Sequence, residues 1–182
     1  MTKLYRLHYS ERDDDPAGVA YFPGERPRGL FKPSGVRMLK WKPVRLELRD
    51  GAYADRLASN ECFRVFSAKL RAIVEEGRGP RDVLQWLPVT VVDGSGEERP
   101  YFCLHFPVDF PEIVDYGNCT YYKGDIIKHV YSAKGLEGHN VVTPPNCYGI
   151  DLCVSPQIRR MILDARCTNV SFSKAPVTQQ DT

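Results

Sequence analysis

The sequence predicts an α+β fold in a single domain, a mainly antiparallel sheet carrying two or three short helices. Three observations point there. Leu84 to Val92 and Tyr101 to Phe106 are β-rich runs joined by Asp93-Gly94-Ser95-Gly96, a hairpin signal. Two segments place a serine just ahead of apolar residues at helical spacing: Ser67 before Leu70, Ile73 and Val74, and Ser155 before Ile158, Met161 and Ile162. Several further runs alternate between apolar and polar residues, separated by stretches rich in Pro and Gly.

Lys3 to Tyr9 alternates, with Leu4, Arg6 and His8 on one side and Tyr5, Leu7 and Tyr9 on the other, which predicts a strand with one buried face. Residues 11 to 35 contain four prolines and four glycines and open on an acidic run, so regular structure is not expected there. Tyr21, Phe22, Leu30 and Phe31 predict that this long loop packs down onto the domain. Val44 to Leu48 reads as a strand ended by Asp50-Gly51, and Ala52 to Ser59 as a brief helical turn.

The central helix begins at the Ser67 cap, whose hydroxyl can accept from a first-turn amide, and stops at Gly77 and Gly79-Pro80. After the hairpin, the prolines of Phe106 to Asp115 suit an edge or an extended connection. Ile126 to Tyr131 is a strand, Lys134 to Cys147 a loop, and Thr168 to Ser173 the last strand. In the second helix Pro156 falls at the first helical position, where its missing amide hydrogen costs nothing. Val154 to Arg159 echoes Phe66 to Arg71; ten residues fit a duplicated strand-helix-strand unit and a coincidence equally well. The chain divides into 1–60, N-terminal strands and the long loop within the same domain; 61–173, the α+β core; and 174–182, a polar, frayed tail.

A length of 182 residues, a hydrophobic share of 42% and 8 Phe, 10 Tyr and 2 Trp supply an ample core. The formal net charge of +2 is too balanced to point to nucleic acid or an anionic membrane. No apolar run reaches transmembrane length, and MTKLYRLHYS has no apolar signal region, so a cytoplasmic protein is expected. The 6 cysteines form no CxxC pair and are expected mostly as reduced, buried thiols, with neither metal nor cofactor implied.

The residues that chemistry could use are few. Cys103 and His105 lie two apart on a predicted strand, share a face, and form the best available nucleophile-base pair; His8 and His129 are remote in sequence. Glu11, Asp13, Asp14 and Asp15 lack the alternating spacing of a calcium loop and read as a solvated run or a partner contact. Asn118-Cys119-Thr120 and Asn169-Val170-Ser171 match a glycosylation pattern that has no meaning in the cytoplasm. Tyr116, Asn118, Tyr121 and Tyr122 make a Tyr- and Asn-rich turn, a composition that suits either protein recognition or packing over a sheet edge. Arginines at 6, 12, 26, 28, 37 and 45 are interleaved with acids, so a nucleic-acid groove is not expected.

Phe66-Ser67 with Leu70, Leu87-Pro88-Val89, the Tyr101-Phe102-Cys103-Leu104 strand, and the acidic close at Val114-Asp115 form a pattern. Val154-Ser155 with Ile158 and Thr168-Asn169-Val170-Ser171-Phe172 continue it. The pattern resembles the bacterial immunity-protein family numbered eleven in polymorphic toxin systems, formerly a domain of unknown function, over about residues 61 to 173. The resemblance implies a small cytoplasmic protein, encoded beside a toxin, that binds the toxin and blocks it without catalytic residues of its own. On that reading the contacts are expected from the 11–35 loop (Asp13, Asp14, Asp15, Tyr21, Phe22) and the 116–122 turn (Tyr116, Asn118, Tyr121, Tyr122), with self-association left open. The rival readings are a small enzyme using Cys103 and His105, which requires a depressed thiol pKa, and an assembly protein.

Overall fold

The computed structural model describes residues 2–10, 15–16, 18–24, 32–59, 64–147 and 151–178. Its strands are β1 (Tyr5–His8), β2 (Val19–Tyr21), β3 (Val44–Asp50), β4 (Arg56–Ser59), β5 (Val65–Ser67), β6 (Gln85–Val92) and β7 (Glu98–His105). They continue as β8 (Thr120–Tyr122), β9 (Asp125–Lys128), β10 (Tyr131–Ser132), β11 (Val141–Val142), β12 (Cys153–Val154), β13 (Ser171–Lys174) and β14 (Val177–Thr178). Two α-helices, α1 (Ala68–Gly77) and α2 (Pro156–Asp164), complete an α+β fold.

The expected hairpin is the longest pairing, with Gln85 opposite His105 and Val92 opposite Glu98. Its turn is held by Asp93, whose carboxylate accepts from the Ser95 and Glu97 amides at 2.9 and 3.0 Å. Six strands close into a barrel in the order β2-β3-β6-β7-β5-β4. Leu46, Leu57, Val65, Val91 and Cys103 fill its interior at 0% exposure, so the barrel is a packed core and not a ligand cavity. Antiparallel pairs predominate; among the described residues β2–β4, β3–β6 and β10–β14 are parallel.

A second core lies between the outer face of the barrel and the sheet β11-β12-β1-β13, with both helices embedded in it. Each helix is capped as its sequence implies: Ser67 Oγ accepts from the Leu70 amide at 3.2 Å, and Ser155 Oγ from the Ile158 amide at 3.4 Å. Leu70 and Val74 of α1 and Ile158 and Ile162 of α2 are fully buried. The helices touch at Gly77, where an added Cβ would stand 2.5 Å from Ile158 Cγ1, so only glycine admits this approach.

The echo between the two segments extends to tertiary structure. The Ser67 amide donates to Asp55 O, and the Asp55 carboxylate accepts from Thr168 N just past α2. In the other half the Ser155 amide donates to Asn140 O, and the Asn140 side chain donates to Gly77 O at the end of α1. Each helix start is therefore tied to the end of the other helix.

Several expectations need correction. Ala52 to Ser59 is no helical turn: Arg56 to Ser59 form β4, paired with β2 and β5. Barrel closure offers this segment ladder partners on both edges, which outweighs its weak local preference. In β1 only Leu7 is buried, at 2% exposure, while His8 is exposed, which fits a strand with one buried face; its place between β12 and β13 pairs both of its edges. The expected strand at 126–131 breaks after Lys128, and the loop at 134–147 contains β11. The tail is ordered through Thr178, since β14 pairs with β10 and Ala175 N donates to Leu4 O at 2.9 Å; residues 179–182 lie outside the described residues. Of the cysteines, Cys103 and Cys153 are buried while Cys119, Cys147 and Cys167 are half-buried, all as free thiols; Cys62 lies outside the described residues.

Candidate protein-binding surface

Against a third, smaller core, which includes Leu4, Ile113, Val114, Tyr131 and Leu136 with Cys119 packed on it, the chain makes a short hairpin. Its loop is Lys123-Gly124, with φ of 50° and 92°, and Tyr122 and Asp125 pair across it. Positive φ at both central residues matches the twist of a two-residue hairpin turn, and Gly124 adopts it without steric cost. β8 and β9 pair with each other and with no other strand among the described residues.

The base of the hairpin is fastened by polar groups. The Asp115 carboxylate accepts from Asn118 Nδ2 at 2.9 Å and Thr178 Oγ1 at 2.8 Å, and these bonds hold its pKa below the ordinary aspartate value. The Cys119 thiol donates to Asp115 O at 3.2 Å, and its sulfur receives the Val130 amide at 3.4 Å. Tyr121 Oη donates to Tyr116 O at 2.9 Å, which folds the preceding 3₁₀ turn (Tyr116–Asn118) against the strand.

Above this base the surface combines large apolar side chains with the exposed Lys123, Asp125 and Lys128. Tyr116, Tyr121, Tyr122 and Ile127 are 45%, 49%, 60% and 64% exposed. A register shift after Thr120 and the charges of Lys123 and Lys128 blunt the strand edges, so contacts would run through side chains rather than an added strand. Partial burial raises the Tyr116 pKa, keeping its phenol protonated as a hydrogen-bond donor.

The sequence-nominated residues thus separate. Tyr116, Asn118, Tyr121 and Tyr122 come together here, with Asn118 serving the base. Those of the earlier loop are taken up by the fold. Asp15 accepts from Asn169 N at 2.8 Å, Tyr21 Oη donates to Asp50 at 2.9 Å, and Phe22 packs against the barrel core. Asp13 and Asp14 lie outside the described residues. Ile127 was missed because the apolar pair Ile126-Ile127 reads as buried strand; a two-residue turn signal at Lys123-Gly124 beside a strand with no further partner was the available clue.

The Cys103–His105 pair has no catalytic geometry. Cys103 points into the barrel core at 0% exposure, and burial pushes its thiol far up, opposite to an activated nucleophile. His105 Nε2 lies 2.6 Å from Val36 O, and burial lowers its pKa. His8 meets Ser173 and His129 lies near Asp151, so the histidines do not converge on the thiol. Among the described residues no group of three or more His, Cys, Asp or Glu could hold a metal, and no helix is long and apolar enough to cross a membrane. No protein-family model and no curated protein matches this chain.

Proposed function

We propose that this chain is a cytoplasmic immunity protein that neutralises a cognate bacterial toxin by direct binding. The observation that carries the reading is the Tyr116–Lys128 hairpin, which presents three tyrosines and an isoleucine to solvent while Asp115, Asn118 and the Tyr121 hydroxyl fasten its base. Tyrosine is enriched among residues that dominate binding energy, because it offers a large rigid area with a polar tip. An isolated two-stranded hairpin is marginal in water, so a partner that covers it adds burial to both molecules. The family resemblance over residues 61 to 173 supports the same reading and supplies the class of partner.

The test is co-expression with the protein encoded next door, scoring growth and co-purification together. Wild-type chain is expected to restore growth and form a stable complex, and the Tyr121→Ala/Tyr122→Ala variant to lose both. Restored growth without a complex would overturn neutralisation by binding.

A further inference from the structure

The aromatic hairpin continues into a second exposed apolar region. Gly35 N donates to Phe106 O at 3.0 Å, and His105 Nε2 lies 2.6 Å from Val36 O, which seats the strap of residues 32–42 along the end of the barrel hairpin. Val36, Leu39 and Val108 stand out from it at 44%, 82% and 40% exposure. Asp109 joins the two regions: its carboxylate would be 2.5 Å from a Cβ on Gly35, accepts from Asn146 N at 3.0 Å, and acts electrostatically on Tyr116. Of the nine large apolar side chains exposed among the described residues, all but Tyr9 and Leu163 come from the strap, from Val108 or from the Tyr116–Lys128 segment. Exposed apolar side chains gathered in neighbouring segments of a monomer mark a candidate interaction site.

The charge around the patch is one-sided. Residues 32–42, KPSGVRMLKWK, contain four cations and no acid. Lys32, Arg37, Lys40 and Lys42 are exposed, and none has an ion pair among the described residues. Some cations elsewhere are matched, Arg45 with Glu98, Arg49 with Glu47, Arg81 with Glu112 and Arg99 with Glu97, whereas Lys3, Lys134, Arg160 and Lys174 are exposed without an ion pair among the described residues. The strap is set apart by four cations within one short acid-free segment. Lys123 and Lys128 add to the same side, against Asp125 and an Asp109 already engaged. The overall charge of +2 conceals this asymmetry.

We propose that the strap and the hairpin form one docking surface for an acidic face of a partner protein, with the exposed apolar side chains at its centre and the strap cations along its rim. The inference rests on the immunity reading and names the chemistry of the toxin surface that is bound. Unpaired rim cations act mainly on encounter: they steer an oppositely charged partner and raise the association rate in low salt. A protein is favoured over a nucleic acid because exposed apolar side chains accompany the cations, with Lys123 itself lying over the Tyr122 ring at 5.4 Å from its centroid.

The test measures association rates of the purified chain with the neighbouring-gene protein across a salt series. Wild type is compared with an Arg37→Glu/Lys40→Glu/Lys42→Glu variant and a remote Lys3→Glu/Lys174→Glu control, all checked for unchanged melting. The strap variant is expected to associate about ten-fold more slowly in low salt and to approach wild type in high salt, with the control unaffected. A complex whose rate ignores the strap charges overturns this inference and leaves the immunity reading standing. Absence of any complex with wild type overturns both. Strap-dependent retention on duplex RNA or anionic vesicles, with partner association unchanged, overturns the choice of a protein.

Discussion

Two regions carry the same residue types and meet opposite fates. Tyr21 ends β2, which is held between β3 and β4 in the barrel, and Phe22 follows it, while Tyr121 and Tyr122 belong to β8, whose only partner among the described strands is β9. Phe22, half-buried, packs against the barrel core and Tyr21 is bonded to Asp50, whereas Tyr121 and Tyr122 leave about half or more of their surface in water. An aromatic pair in a sequence therefore marks neither core nor interface. The number of ladder partners available to its strand decides between them.

The largest expected effect breaks or keeps this contrast directly. Phe22→Ala is expected to lower stability by about 2–3 kcal/mol through lost packing on the barrel core. Tyr122→Ala should stay within about 0.5 kcal/mol, as substitutions of exposed residues do. Denaturant titration of both variants checks this, and equal losses would erase the distinction. Next come the binding effects: Tyr121→Ala and Tyr122→Ala should each weaken the partner complex by about 1–3 kcal/mol in calorimetry. Tyr21→Ala should leave affinity unchanged, and a comparable loss there would return the 11–35 loop to the interface.

A smaller effect concerns pH. Asp115 has a folded pKa depressed below its unfolded value, so its contribution is present above the unfolded value and is lost as pH falls through the still lower folded one. The amide signals of Asn118 and Thr178 should therefore shift below the ordinary aspartate range, before barrel signals change. Titration of Asp115 at or above that range would contradict its role as the fastening of the hairpin. The smallest effect is Tyr21→Phe, which removes one exposed hydrogen bond to Asp50 and should leave the midpoint of unfolding unchanged.

Local features were legible in the sequence and closure was not. Ser67, Ser155 and Pro156 announce both helices, and Asp93 to Gly96 announces the hairpin turn, because caps and turns are decided by neighbours a few residues away. The barrel needs β3 beside β6 in parallel and β2 beside β4, pairings between strands that no local signal relates. That is why Ala52 to Ser59 misled. Arginines show the same limit: Arg56 and Arg64 are 2% exposed, Arg56 beneath the exposed Tyr9 ring and Arg64 over the buried Phe106 ring. Burial lowers the Arg64 pKa to about 10, yet it remains charged near neutrality. For the candidate surface, the Tyr116–Tyr122 turn was visible as composition, while Ile127 and the strap of residues 32–42 became visible only once the fold placed them beside it.

Backbone amide exchange, compared between the free chain and its complex with the neighbouring-gene protein, tests the central claim most directly. Slowed exchange is expected across Tyr116 to Lys128, with Val19 to Tyr21 unchanged. A complex that forms while exchange at 116–128 stays the same would contradict it.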